Sequence, residues 1–259
     1  LDKQPSKPEL WSEGLHPLKA VRRDPWLYGR GSVDDGYGGY LCATSVRLLQ
    51  EAGATHPRCT MIIETCEESG SFDLPPYLEA LNEQLGNPDM VVVLDSGGPD
   101  YDHIWMTEAL RGLVSGTLSV KVSHEGIHSG NSGGSIPSSF RIQRILLDRV
   151  EDSASGKVTI PEMHVEIPEE VRENAISLRE IVGDSIWDQF PTVETLRQVS
   201  ETTEDMIVAM NWEPTLSIIG ADGIPSVQDA GNVLRTNTDL KLSFRIPPGI
   251  DSEYAVARV

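Results

Sequence analysis

Acidic residues end the apolar and Gly-rich segments early in this chain, and this pattern constrains the fold more than any other feature. They are Asp34, Asp35, Glu64, Glu67, Glu68 and Asp95. The densest group comes directly after Met61-Ile62-Ile63, and Asp95 closes the apolar run 90–94. Carboxylates at the ends of buried strands are costly unless a cation lies between them. The pattern therefore predicts a site for one or two divalent metal ions.

The first part of the chain alternates between helical and strand-like patterns. We predict, in order, a helix at 36–53, a strand at 60–65, a helix at 75–85 and a strand at 90–94. Strands that are apolar throughout are typical of a parallel sheet covered on both faces. We therefore expect an α/β fold, an αβα domain with a central and mostly parallel sheet. Ligands of such sheets bind beyond the carboxyl ends of the strands, where the acidic residues lie.

The pattern changes near residues 112–116. Residues 118–123 alternate between apolar and polar side chains, which is typical of a half-exposed antiparallel strand. A helix is predicted at 138–152, and further strands at 215–220 and 239–246. These elements indicate an α+β domain with its own sheet. We place the boundary so that 1–113 is the N-terminal part of the first domain and 114–259 is a second domain, incomplete at its C-terminus.

The chain is strongly acidic, with a formal net charge of −19. This charge argues against nucleic acid or an anionic membrane as a partner, because phosphate binding requires clustered Lys and Arg. No apolar run reaches the ~18 residues of a membrane span. The simplest role of the charge is solubility.

The three cysteines, Cys42, Cys59 and Cys66, cannot all pair and show no zinc-binding spacing. Free thiols indicate a reducing compartment, so we expect a cytoplasmic protein. Cys66 lies inside the acidic group, where carboxylates raise the pKa of a thiol and suppress the thiolate. We therefore do not expect Cys66 to act as a nucleophile.

Glu67 and Glu68 suit a division of labour in a hydrolase that uses two metal ions. Such enzymes hold the ions ~3.5–4 Å apart and need a separate base for the attacking water. Neighbouring residues near a strand end point in different directions, so one carboxylate can bind metal while the other faces the water. The simpler interpretation is a charged surface turn.

Four motifs in the expected order resemble the M20 metallopeptidases, with the greatest similarity to the carnosine dipeptidase branch. The chain reads LDKQP at 1–5, LYGRGSVDDG at 27–36 and EESGS at 67–71, and Asp95 follows its apolar run. The resemblance is close over residues 1 to about 135 and looser beyond them. The family implies two zinc ions in each site, with Mn²⁺ or Co²⁺ as alternatives.

The resemblance implies a role for each acidic residue. Asp34 would bridge the two metal ions, and Glu68 and Asp95 would be terminal ligands on opposite ions. Glu67 would be the general base that activates the water. Asp2 would orient a metal-binding His two positions before it, a supporting task for metal ligands.

The second domain would be the family's lid, which also forms a homodimer. By resemblance, His128 in a His-Ser-Gly loop would reach the neighbouring subunit's site and stabilise an oxyanion. Arg245 would bind a substrate carboxylate, a task suited to a planar guanidinium. Asn232 would contact the substrate, although the residues after it depart from the family pattern. The simpler interpretations are a surface loop His and an outward-facing strand Arg.

The chain departs from the family pattern in two respects. The Lys that commonly follows the Asp pair is missing after Asp35. The family's two metal-binding His residues have no counterpart, and we expect them before Asp2 and after residue 259. Because the chain starts with Leu1, we expect a piece of a longer protein, inactive by itself.

The resemblance thus implies a zinc-dependent hydrolase that cleaves amide bonds of dipeptides or N-acyl amino acids with a metal-activated water. One alternative is a non-catalytic homologue or truncated fragment that acts only as a dimerisation or binding module. A second alternative is a metal-independent hydrolase with two catalytic carboxylates, as in glycosidases.

Overall fold

The structure is a computed structural model that describes residues 4–95, 98–100, 102–183 and 185–259. The chain divides into two compact units, Leu1–Ile104 and Trp105–Val259. Asp2 lies outside the described residues. The assignment of 1–113 and 114–259 to a catalytic and a lid domain stays a prediction.

The first unit contains a short hairpin and three helices. The elements are β1 (Val21–Arg23), β2 (Trp26–Tyr28), α1 (Gly38–Glu51), α2 (Leu74–Ala80) and α3 (Asn82–Leu85). β1 and β2 pair in antiparallel fashion. α1 confirms the helix predicted at 36–53. The helix predicted at 75–85 is observed as α2 and α3, which Leu81 separates.

The strands predicted at 60–65 and 90–94 are not formed in this structure. Their apolar side chains are exposed, with Ile63 57% and Val93 78% accessible to solvent. A continuous apolar run forms a parallel strand only when partner strands lie beside it. Within the described residues of this unit, the only paired strands are β1 and β2. The central parallel sheet is therefore not seen as paired strands here.

The second unit is built on a three-stranded antiparallel sheet. Its strands are β3 (Gly112–Lys121), β5 (Thr215–Asp222) and β7 (Asn237–Ile246), in the spatial order β3-β7-β5. These strands confirm the predictions at 118–123, 215–220 and 239–246, and β3 starts earlier than expected. β7 is the central strand, so it pairs on both edges. A register irregularity between Ile218 and Gly220 interrupts β5.

The remaining elements of this unit are short strands and helices around the sheet. They are β4 (Ile127–His128), α4 (Ser129–Ser132), α5 (Ser139–Leu147), α6 (Glu169–Val182), α7 (Ser185–Asp188), α8 (Thr203–Trp212), β6 (Val233–Leu234) and α9 (Ser252–Val256). α5 confirms the helix predicted at 138–152 but ends earlier. Among the described residues, no helix combines the length and apolar character needed to cross a membrane.

Alternation along β7 produces the core of the second unit. Leu240, Leu242, Phe244 and Ile246 are each at most 6% exposed. They belong to a cluster completed by Val114, Val158, Ile160, Met163 and Ala255. Fully burying one such side chain contributes about 1.5–3 kcal/mol. Both clusters of buried apolar side chains found in the described residues lie in this unit, the second one between α6, α7 and α8.

Helix α5 is attached to the sheet by buried polar contacts. Gln143 donates through Nε2 to the main-chain oxygens of Leu118 at 3.1 Å and Thr238 at 2.7 Å. The hydroxyls of Ser139 and Thr238 are 2.7 Å apart. Buried polar groups need partners, and these contacts therefore specify how the helix sits on β3 and β7.

Phe244 tests this account of the core. Because its side chain is 1% exposed, Phe244→Ala should lower the free energy of unfolding by about 3–5 kcal/mol. Phe140, in the same unit, is 46% exposed, so Phe140→Ala should cost about 1 kcal/mol or less. Urea denaturation followed by circular dichroism measures both. Equal costs for the two variants would contradict the assigned core.

Candidate functional site

Two apolar runs of the first unit, each followed by carboxylates in the sequence, approach the start of α1. A Cβ atom placed on Gly38 would lie 3.3 Å from the main-chain oxygen of Leu94, the residue before Asp95. A Cβ atom on Gly39 would lie 3.9 Å from Ile63 Cδ1. α1 itself follows the Asp34-Asp35 pair. The two glycines therefore allow both apolar runs to approach the helix start, which the Asp34-Asp35 loop precedes.

The Glu67-Glu68 pair lies in a 3-10 turn, Glu67–Ser69. Gly70 closes this turn with a φ of 104°, a left-handed conformation that favours glycine. Its N–H donates to Glu67 O at 2.9 Å. Gln4 Nε2 donates to both Glu68 Oε2 at 3.0 Å and Glu68 O at 3.1 Å. The start of the chain thus orients the Glu68 carboxylate.

The Asp34-Asp35 pair lies in a tight loop before α1, and its peptide bond is cis. The loop closes through a hydrogen bond from Gly36 N to Gly31 O at 2.9 Å. A Cβ atom on Gly36 would collide with the main-chain oxygen of Gly31. Glycine at position 36 is therefore required by the loop that carries both aspartates.

The chemistry of these residues fits a divalent metal, but the described residues do not complete a site. Carboxylate oxygens are among the ligands that zinc accepts in proteins. In the described part of the chain, however, no group of three or more His, Cys, Asp or Glu could hold a metal ion. The roles of Asp34, Glu68 and Asp95 as ligands therefore stay predictions.

Cys66 is held as a thiol. Its Sγ atom donates to Glu64 Oε1 at 3.3 Å. A hydrogen bond with the main chain of Asp73 lowers the pKa of Cys66, but burial and the carboxylates of Glu64 and Asp73 together raise this pKa above its ordinary value. This direction agrees with the expectation that Cys66 is not a nucleophile.

In the second unit, the structure brings His128 and Asn232 together. His128 lies in β4 and is the register partner of Val233 in β6. The N–H of Ser129 donates to the main-chain oxygen of Asn232 at 2.9 Å. Both predicted site residues are exposed. Two residues far apart in the sequence thus lie at the same end of the two-stranded ribbon formed by β4 and β6.

The His128 ring has a defined hydrogen bond. Its Nδ1 atom accepts from the main-chain N–H of Gly130 at 3.1 Å. In a neutral imidazole the other nitrogen then carries the proton, so Nε2–H is available as a donor. A Cβ atom on Gly130 would lie 3.0 Å from His128 Cε1, so glycine permits this close approach. The arrangement can donate a hydrogen bond to an oxygen of a ligand.

Arg245 lies on the exposed face of β7, opposite Leu113 in β3 and Thr215 in β5. Beside it is Arg111, which the sequence analysis did not single out. Arg111 is partly buried, and its Nη1 atom donates to Glu213 O at 3.1 Å and Thr215 Oγ1 at 3.2 Å. The signal that could have found it is its place two residues before Leu113, on the strand face that carries Arg245.

A comparison with protein families shows to which family the chain belongs. A model described as Peptidase family M20/M25/M40 matches residues 1–238. The Cysteinylglycine-S-conjugate dipeptidase of Corynebacterium striatum is 26% identical over 250 residues, covering 93% of this chain and 50% of that protein. The Beta-Ala-His dipeptidase of Rattus norvegicus is 24% identical over 261 residues, covering 96% and 50%.

The solved structure of the dipeptidase Dug1p from Saccharomyces cerevisiae is similar over 99% of this chain and 54% of its own. Its TM-score is 0.73 at 25% identity. This similarity confirms the α/β fold class. The chain spans about half the length of the relatives it matches.

The thiol state of Cys66 can be tested by alkylation. Glu64→Gln removes a charge that raises the pKa of Cys66, so more thiolate should form and iodoacetamide should react faster at pH 8. Mass spectrometry of the Cys66 peptide measures the rate. Glu79→Gln, in α2, removes an exposed carboxylate as a control and should leave the rate unchanged. An unchanged rate in Glu64→Gln would contradict the assigned contact.

Proposed function

Because this chain belongs to peptidase family M20/M25/M40, we propose that its protein is a zinc-dependent hydrolase of dipeptides or N-acyl amino acids. The observation that carries the proposal is the family match over residues 1–238. The approach of two apolar runs, each followed by carboxylates, to the start of α1 supports it. The chain alone, about half the length of its relatives, is inactive under this proposal.

The relatives' names support a substrate with a free carboxylate. They describe dipeptidases acting on cysteinylglycine conjugates and on Beta-Ala-His. Each of these dipeptides ends in a carboxylate close to the bond that is cleaved. The substrate class proposed for this protein therefore carries a negative charge on the leaving side of the amide.

Under the proposal, Asp34, Glu68 and Asp95 would hold a pair of zinc ions, or Mn²⁺ or Co²⁺ in their place. Asp2 would orient a His ligand, as the family pattern implies. When bound, the metal would supply a polarised amide carbonyl and a more acidic water. Gln4 would keep the Glu68 carboxylate oriented through its contact at 3.0 Å.

Glu67 would act first as the general base and then as the general acid of the reaction. Its carboxylate would accept a proton from the attacking water and pass it to the nitrogen of the leaving amine. Its neighbour Glu68 accepts a hydrogen bond from Gln4 and would bind the metal instead.

His128, Asn232 and Arg245 would contact the substrate from the second unit. His128 would donate from Nε2 to the oxyanion of the tetrahedral intermediate in the partner subunit of a homodimer, which the second unit would form. Asn232 would contact the substrate beside it. Arg245 would bind the free carboxylate.

The same proposal places the protein in the cytoplasm. Cys42, Cys59 and Cys66 are free in the structure, which suits a reducing compartment.

A second candidate is a non-catalytic dimerisation or binding module. It is favoured by the location of both buried apolar clusters in the second unit. It also agrees with the incomplete metal site in the described residues. Hydrolysis of a dipeptide by the full-length protein separates the two candidates.

Glu67→Gln tests the proposed base in the full-length protein. The amide cannot accept the proton, so kcat should fall by about 10²–10⁴-fold while the protein stays folded. Hydrolysis of cysteinylglycine measures the effect, with Glu79→Gln as a control that should retain full activity. Near-normal activity in Glu67→Gln would rule out this mechanism.

Metal binding can be tested on the chain itself. Zinc should raise the melting temperature, because a bound cation relieves repulsion between the carboxylates and stabilises the folded state. Asp95→Asn should reduce the shift, and Asp89→Asn, which changes an exposed carboxylate nearby, should not. A melting temperature that responds to neither zinc nor manganese would count against partial metal occupancy.

A further inference from the structure

The exposed face of the second unit's sheet carries two arginines close together at one end. β7 pairs on both sides, and Arg245 lies directly opposite Leu113 and Thr215. Side chains of directly opposed residues leave the same face of a sheet, with Cβ atoms about 4.5–5.5 Å apart. We call Leu113, Arg245 and Thr215, which lie opposite one another across the three strands, the arginine row. Arg111 contacts Thr215 Oγ1 at 3.2 Å, so its guanidinium reaches this row.

The two guanidinium groups repel one another. Burial lowers the pKa of Arg111, and the charge of Arg245 lowers it further. Arg111 is held in place by neutral oxygens, the main-chain oxygen of Glu213 and the hydroxyl of Thr215. In the part of the chain that the structure describes, no carboxylate forms an ion pair with Arg111 or Arg245. Two unneutralised cations together are unusual in a chain with net charge −19.

The next set of opposed residues on this face supplies hydroxyl groups and contains no carboxylate. Ser115, Ser243 and Ser217 lie opposite one another across the three strands, two residues along from the arginine row. The acidic residues of the face, Asp239 and Asp222, pair at its other end. Asp239 is about 20 Å from Arg245 along β7, at ~3.3 Å per residue. This is beyond the ~8–10 Å screening length at physiological salt.

We propose that Arg111 is the second guanidinium of a carboxylate-binding site centred on Arg245. A carboxylate between the two groups would be attracted by both charges and would offset their repulsion. The contacts of Arg111 with Glu213 O and Thr215 Oγ1 place its charge before the ligand arrives, which lowers the ordering cost of binding. This inference rests on the proposed function, since it assigns the substrate's free carboxylate to this face.

The site selects substrates by charge. A dipeptide or N-acyl amino acid with a free carboxylate binds, and the corresponding neutral amide does not, because it leaves both guanidinium groups without an anion. Lys at position 111 would keep the charge but could not reproduce the fork of donors. Arg111→Lys is therefore expected to have intermediate affinity.

Titration of the 259-residue chain with N-acetylglycine tests the site, with N-acetylglycinamide as the neutral counterpart. NMR of arginine side-chain N–H groups, at low salt, measures the dissociation constant. Wild type should bind the carboxylate and not the amide. Arg111→Gln and Arg245→Gln should each weaken carboxylate binding by about tenfold or more, equivalent to ~1.4 kcal/mol. Arg141→Gln, an exposed arginine on α5, should leave the affinity unchanged.

Thr215→Val provides a variant that changes no charge. It removes one of the two oxygens that hold Arg111, so carboxylate affinity should fall while the thermal unfolding transition stays close to wild type. It keeps the test decisive if Arg111→Gln is unfolded. Unchanged affinity in a folded Arg111→Gln and in Thr215→Val would overturn the proposal. So would equal binding of carboxylate and amide by wild type, or a preference for inorganic phosphate over N-acetylglycine.

This test is independent of the proposed chemistry. Failure of the titration would overturn the paired-arginine site and leave the role of Glu67 standing. Full carboxylate binding, together with no dipeptide hydrolysis by the full-length protein, would overturn the proposed function and leave the site standing.

Discussion

Alternation along β7 determines the organisation of the second unit. Leu242 and Phe244 face the core, and Ser243 and Arg245 face outward. A slip of one residue would exchange these two sets, burying a guanidinium and exposing a phenyl ring. Gln143 opposes such a slip, because its amide donates to Thr238 O at 2.7 Å from a fully buried position. The register that builds the core therefore also places the arginines of the proposed carboxylate site.

In the first unit, the glycines at the start of α1 are the local constraint. Gly38 and Gly39 let two apolar runs reach the start of α1, and each run ends in carboxylates. Neither of the buried apolar clusters in the described residues lies in this unit. Under the proposed function, a divalent cation would bind the carboxylates that follow these runs.

Sequence patterns correctly predicted the elements whose formation depends on residues close together in the sequence. The alternation at 239–246 and the helical spacing before Gly53 correspond to β7 and α1. The strands predicted at 60–65 and 90–94 are not formed, because an apolar run becomes a strand only when a partner strand lies beside it. The proposed role of Arg111 could not be predicted from its spacing to Leu113 alone, since it also depends on β7 joining β3 to β5. The proximity of His128 and Asn232 was not predicted, because it depends on the pairing of β4 with β6, which are distant in sequence.

The proposed function depends on one claim above all, that the carboxylates of the first unit act through a bound divalent metal. The most direct measurement is the rate at which the full-length protein hydrolyses cysteinylglycine before and after treatment with a metal chelator. We predict that activity is lost on chelation and returns when zinc or manganese is added back. An unchanged rate in the metal-free protein would contradict the claim and point to catalysis by two carboxylates alone.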